Sequence, residues 1–263
     1  MTTSVPVRTY YDTHITAKLR DFVEGNERVE RAWLTIDRWA PANPKRILEV
    51  GCGIGHSCWR MTRRWAEAEV VGLDISPRSL EIARKLFNSS RLSFVEGPLV
   101  KGKLAGKFDL IVLMDVYEHI AVGDRPALHE ALSELLDDGC RTVLSFPTPR
   151  HQAWLRQYHP DQIQPVDEDI SIDMISALAG DTGTQVLLYQ EVGVWHEGDY
   201  AHAVVGKYER WRAVTRSRPP TGGIRRIRKL LLGGAEPLVP PRSQRLALVR
   251  QRLGPEYYPD SHI

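Results

Sequence analysis

Short apolar runs recur along the chain, each followed by a stretch with a helical rhythm. Arg46–Val50, Glu69–Leu73, Leu92–Val95, Phe108–Met114 and Thr142–Phe146 read as buried strands, because their apolar residues are nearly continuous rather than alternating. Between them, His56–Trp65 reads as a helix. A second helix is capped by Ser76, carries Pro77 in its first turn, and buries Leu80, Ile82, Ala83 and Leu86. A third is expected to start at a capping Asp124 and to run through Leu136, with Gly139 stopping it. Strands alternating with helices predict an α/β fold with a doubly wound, mostly parallel sheet. Gln185–Val192 and Tyr200–Val205 then read as an antiparallel pair. The long connection 150–169 is expected to hold a short helix around Trp154, Leu155 and Tyr158, and Met174–Ala179 to be helical. Upstream, Thr13–Val23 reads as a helix. Asn26 caps another, with Val29, Ala32, Trp33, Ile36 and Trp39 on one face and Pro41 and Pro44 ending it. The chain divides into a helical segment 1–44, an α/β domain 45–207 and an extension 208–263.

The first strand runs directly into Gly51-Cys52-Gly53-Ile54-Gly55, and the second ends at Asp74, nineteen residues after Gly55. Strand, glycine loop, helix, strand, acid is half of a nucleotide-binding unit. The glycines let the backbone turn tightly and approach a ligand. The acid is placed to accept hydrogen bonds from a ribose diol. A dinucleotide loop wants its third glycine five residues after the first. Here position 56 is His, the third glycine comes one residue early, and Glu49 stands two residues before Gly51.

The pattern E-x-G-x-G-x-G resembles the first motif of the class I S-adenosylmethionine-dependent methyltransferases, and the resemblance covers roughly residues 45–207. It implies a seven-stranded Rossmann-like sheet, S-adenosylmethionine as cofactor, and lid helices from the N-terminal segment that bring Tyr10 and Tyr11 near the acceptor. The cofactor residues it implies are Glu49, Gly51, Cys52, Gly53, Gly55, Asp74, Ile75, Leu99, Met114 and Asp115. Members commonly follow the third strand with glycine and an acid for the adenine. Here Pro98 occupies the acid's place and offers neither a carboxylate nor an N–H, so adenine recognition falls to backbone groups near Leu99 and apolar contacts. After the fourth strand, Asp115-Val116-Tyr117-Glu118-His119 resembles the D-V-x-E-H of small-molecule methyltransferases.

Methyl transfer to a hydroxyl needs a base, and histidine suits that near neutral pH. His119, at the mouth of strand four, is the first candidate, and His151, beyond strand five, the second. A rival chemistry places a magnesium ion on Asp115, Glu118 and His119, which converge if their turn is helical. The segment His159–Glu168 resembles one in bacterial methyltransferases tied to polysaccharide synthesis. This implies an actinobacterial, methylmannose-type sugar O-methyltransferase. Tyr11, Tyr117, Glu118, Gln164, Asp167, Glu168, Trp195, His196 and Tyr200 have the side-chain types of such an acceptor site.

Composition adds bounds. No apolar run is long enough for a membrane span, and the first residues lack a charged-then-apolar signal, so a cytoplasmic protein is expected. Cys52, Cys58 and Cys140 lack metal spacing and fit reduced thiols. The net charge of +2 hides an asymmetry: residues 208–263 carry twelve Lys/Arg and four Asp/Glu. Two amphipathic helices are expected there, over Ile224–Leu232 and Ser243–Leu253, solvated or packed on another subunit of a homodimer. The expected partner is a small molecule or oligosaccharide. RNA is the alternative, with the tail as anchor, although the tail lacks an interleaved aromatic platform.

Overall fold

The computed structural model describes residues 10–207 and 239–258. The expected tail helix over Ile224–Leu232 lies outside the described residues. The strands are β1 (Arg46–Val50), β2 (Glu69–Asp74), β3 (Leu92–Glu96), β4 (Phe108–Met114), β5 (Leu136–Pro147), β6 (Gln185–Val192) and β7 (Tyr200–Gly206). They form one seven-stranded sheet in the order β3-β2-β1-β4-β5-β7-β6. The pairs among β1–β5 are parallel, and β7 runs antiparallel to both β5 and β6. The order reverses between β1 and β4, which opens a crevice beyond the carboxyl ends of those two strands.

The helices are α1 (Ile15–Glu24), α2 (Glu27–Trp39), α3 (His56–Arg64), α4 (Pro77–Leu86), α5 (Arg125–Leu135), α6 (Pro149–Tyr158), α7 (Ile172–Asp181) and α8 (Arg242–Leu253). Residues 10–13 make a helical turn just before α1. Two caps lie where the side chains predict them. Asn26 accepts a hydrogen bond from the Arg28 N–H, and Ser76 accepts one from the Ser79 N–H. One apolar cluster, with Trp33, Ile36, Ile47, Met61 and Val112, fills one face of the sheet; another, with Leu48, Ile111, Leu132, Leu144 and Ile175, fills the other.

Two expectations are corrected. Asp124 precedes α5 but makes no side-chain cap bond. That helix ends at Leu135, and β5 begins at once with Leu136 paired to Phe108. Gly139 therefore lies inside the strand, at φ +82°, near a register shift between Phe108 and Leu110. It marks an irregularity in the pairing rather than a helix end. The connection 150–169 is ordered largely by α6, which begins immediately after β5 on a Thr148 cap.

Candidate active site

A cavity of about 540 Å³ opens at the crevice between β1 and β4. Its floor is the glycine loop. Gly51, at φ +71°, sits against Val116, and a Cβ there would come within 2.3 Å of the Val116 Cγ2. Gly55, at φ +80°, faces the Phe94 ring in the same way, at 2.6 Å. Gly51→Ala therefore combines a left-handed backbone with a steric clash. It is expected to lower folding stability by about 1–3 kcal/mol, read as a drop in the denaturant midpoint.

Asp74 ends β2 and fastens this loop. Its Oδ2 accepts from the Gly53 N–H at 2.7 Å and its Oδ1 from the Ser76 N–H at 2.8 Å. The carboxylate lines the cavity, and each oxygen keeps a lone pair for a ligand. Gly51, Gly53, Ile75, Leu99, Met114 and Asp115 line the same cavity. Glu49, Cys52 and Gly55 do not. Glu49 lies beneath the loop, where its Oε2 accepts from Cys58 Sγ at 2.8 Å, and burial pushes its carboxyl up to about 8. These three lie behind the residues that line the cavity and shape the loop from there. Pro98 lines the cavity beside Gly97, Leu99 and Leu128, an apolar end that offers no carboxylate at the position the resemblance leads one to expect.

The opposite end is polar. Asp115 follows β4 with φ +52°, the one described non-glycine residue in the left-handed region. Its Oδ2 pairs with the Arg28 Nε at 3.1 Å, and its buried Oδ1 has no protein partner. Burial pushes the Asp115 carboxyl above its ordinary range, and the Arg28 charge only partly offsets this. Arg28 also reaches the Tyr200 hydroxyl at 3.5 Å. Sequence reading missed Arg28, together with His14, Lys18 and Asp21, which line the cavity from the N-terminal helices. The capping Asn26 was visible, but nothing distinguished Arg28 from the other arginines near it.

Tyr117, Glu118 and His119 form a short 3-10 turn. His119 faces the cavity. Its Nδ1 lies 2.8 Å from the Val166 carbonyl oxygen. A carbonyl only accepts, so Nδ1 carries the proton and Nε2 keeps its lone pair. Burial lowers the pKa of the ring below its ordinary value. Glu118 Oε1 lies 3.7 Å from His119 Nε2, and burial, reinforced by Asp115, pushes the Glu118 carboxyl well up. Tyr11 donates to Gln164 Oε1 at 2.9 Å, and both residues line the cavity. That bond bridges the N-terminal segment and the 159–169 loop beside His119.

Several expected acceptor residues lie elsewhere. Tyr117 is buried in the core, its hydroxyl 2.8 Å from His129 Nε2. Asp167 is spent within the protein, accepting from Gln152 Nε2 at 2.6 Å and the Gln164 N–H at 3.2 Å. Glu168 holds its loop through a backbone bond to the Glu118 carbonyl. Trp195 is 54% exposed on the β6–β7 connection, and His196 stands against Trp154 on α6. Tyr200 is buried behind Arg28, and His151 lies between Trp154 and Tyr200. His151, Trp195, His196 and Tyr200 lie outside the cavity wall, in an aromatic cluster that α6 and the last hairpin form. The magnesium arrangement is not formed either. Asp115 pairs with Arg28, and among the described residues no three metal-ligating groups converge.

The parallel sheet with its reversal between β1 and β4, the flanking helices and the glycine loop make this the Rossmann-like fold of the class I methyltransferases. Residues 47–139 match the family model described as a methyltransferase domain. Among curated proteins, the chain is 30% identical over 109 residues to the malonyl-[acyl-carrier protein] O-methyltransferase of Acetivibrio thermocellus, covering 41% of this chain and 37% of that protein. It is 35% identical over 120 residues to the ubiquinone biosynthesis O-methyltransferase of Methylocella silvestris, covering 44% and 43%. The chain thus spans less than half the length of these two relatives. Among solved structures, it superposes on a chain of the complex between the Haloferax volcanii Trm112 methyltransferase activator and the putative methyltransferase. The TM-score is 0.63 at 15% identity, covering 79% of this chain and all of that one. The glycopeptide N-methyltransferase MtfA, complexed with S-adenosylmethionine, gives 0.55 at 17% identity, covering 69% and 94%.

Proposed function

We propose that the protein transfers a methyl group from S-adenosylmethionine to a hydroxyl of a small polar acceptor. The observation that carries this reading is one continuous cavity. The glycine loop and Asp74 stand at one end, and a neutral, cavity-facing histidine stands beside the end of β4. When bound, the cofactor supplies an activated methyl group, so the protein must mainly align an acceptor oxygen and remove its proton. Asp74 accepts from the ribose hydroxyls. Leu99, Leu128 and Pro98 enclose the adenine. The unpartnered Oδ1 of Asp115 accepts from the amino group of the methionine moiety, and Arg28 holds that carboxylate in place. His119 Nε2 takes the proton of the acceptor hydroxyl, with Nδ1–H anchored on Val166. Two curated relatives named as O-methyltransferases support an oxygen acceptor.

A sugar or oligosaccharide is the finer form of the proposal. Tyr10 and Tyr11 offer rings, and Gln164, Arg28 and Asp21 offer planar polar groups on the cavity wall. An RNA acceptor is less well supported: the basic tail lacks an interleaved aromatic platform. The test is transfer of labelled methyl to a panel of sugars, phenols and short RNAs. Incorporation into the sugars alone supports the finer reading, and incorporation into phenols alone moves the acceptor class.

The base assignment sets a pH profile. His119 must be neutral to act, and its pKa is lowered from 6.5 by burial, against the opposing charges of Asp167 and Asp115. Turnover is therefore expected to rise with pH through a midpoint below 6.5 and to be flat from neutrality upward. A midpoint above 7 in the pH dependence of kcat would point to another group.

A further inference from the structure

The C-terminal helix lines no part of the cavity, yet it meets α1, which does, and α3 and α4, which follow the glycine loop and Asp74 in the chain. Val249 of α8 and Tyr258 after it are buried in one apolar cluster with Leu19, Phe22 and Val23 of α1 and Ile82 and Leu86 of α4. Arg242 donates from Nε and Nη2 to the two carboxylate oxygens of Glu24 at 2.6 and 2.7 Å, and Tyr258 donates to Glu24 Oε1 at 2.5 Å. Those bonds pull the Glu24 carboxyl down to about 2. Tyr257 accepts from Arg78 of α4 at 3.1 Å. Arg245 joins Gly25 and His56, the first residue of α3, around a second small cavity.

The face of α1 that α8 covers is opposite the one that serves the site. Ala17, Lys18 and Asp21 line the main cavity, while Leu19, Phe22 and Val23 turn away from it into the apolar cluster. Lys18 also ties the helix to α4 by donating to Ser79 Oγ at 3.0 Å. A ten-residue helix is marginal without packing. Its position over the glycine loop therefore depends on what holds its outer face.

We infer that α8 and the turn after it brace the methyl-donor half of the cavity. Val249, Tyr258 and the Glu24–Arg242 pair are positioning residues that hold α1 against the glycine loop and α4. The inference rests on the donor assignment above. Releasing the brace lets α1 leave the loop. If α1 is then in place only a tenth of the time, the apparent affinity for the donor falls about tenfold, in proportion to that fraction.

The test uses full-length Val249→Asp, Glu24→Arg, Arg242→Glu and the Glu24→Arg/Arg242→Glu pair. Hydrogen exchange reports on residues 15–24, and calorimetry on S-adenosylhomocysteine binding. For Val249→Asp, faster exchange in 15–24, unchanged protection in β1 and β4, and about tenfold weaker binding are expected. The single charge reversals should weaken binding, and the pair should recover most of it, a rescue that general destabilisation does not produce. Faster exchange in 15–24 with wild-type affinity would overturn the brace. So would a paired variant no better than the singles, which decides the matter if Val249→Asp also loosens the sheet. Failure of the wild-type protein to bind S-adenosylhomocysteine would instead overturn the donor assignment, and the brace with it.

Discussion

Asp74→Ala is expected to weaken S-adenosylhomocysteine binding by about two orders of magnitude while the sheet stays folded. Two effects add. The ribose loses a charge-assisted acceptor, with about 1.5–3 kcal/mol at stake. The Gly53 and Ser76 N–H groups also lose the carboxylate that fixes the loop. Asp74→Asn should fare little better. A carboxylate accepts at both oxygens, whereas an amide puts a donor against one of those N–H groups. The measurement is calorimetric affinity alongside the circular dichroism melt. Unchanged affinity with a normal melt would remove Asp74 from the cofactor site.

His119→Ala is expected to reduce kcat by about 10²–10⁴-fold, the range for a lost general base, with cofactor affinity near wild type. The binding half should survive because His119 touches neither Asp74 nor the glycine loop. Its ring hydrogen-bonds the Val166 carbonyl, on the 159–169 loop. His119→Asn is the informative control, since an amide N–H can still donate to Val166 but is no base. If His119→Ala turns over normally and His151→Ala is dead, the base is His151. The acceptor would then have to reach the cluster of Trp154, His196 and Tyr200, outside the present cavity wall.

The sheet was legible because its signals are local. Continuous apolar runs marked β1 to β4, and the Asn26 and Ser76 side chains marked two helix starts. The start of β5 was not legible, since Leu135 and Leu136 continue the apolar rhythm of α5 and only the pairing of Leu136 with Phe108 separates strand from helix. The glycine loop and Asp74 were readable because spacing alone places them. Which polar residues face the acceptor was not, because that depends on packing between distant segments. Tyr117 turns inward to His129 while its neighbour His119 turns outward, and no pattern in the sequence distinguishes the two. Arg28 meets Asp115 across 87 positions of chain, a partnership only the folded sheet creates. Trp195 and His196 had suitable chemistry for a sugar, but the β6–β7 connection leaves Trp195 exposed and sets His196 against Trp154 of α6.

Calorimetric titration of the wild-type protein with S-adenosylhomocysteine tests the proposed cofactor site most directly. Saturable binding at one site is expected, with a matching rise in melting temperature. Absence of binding heat together with an unmoved melt would contradict it, because the glycine loop and Asp74 would then form a turn with no cofactor to hold.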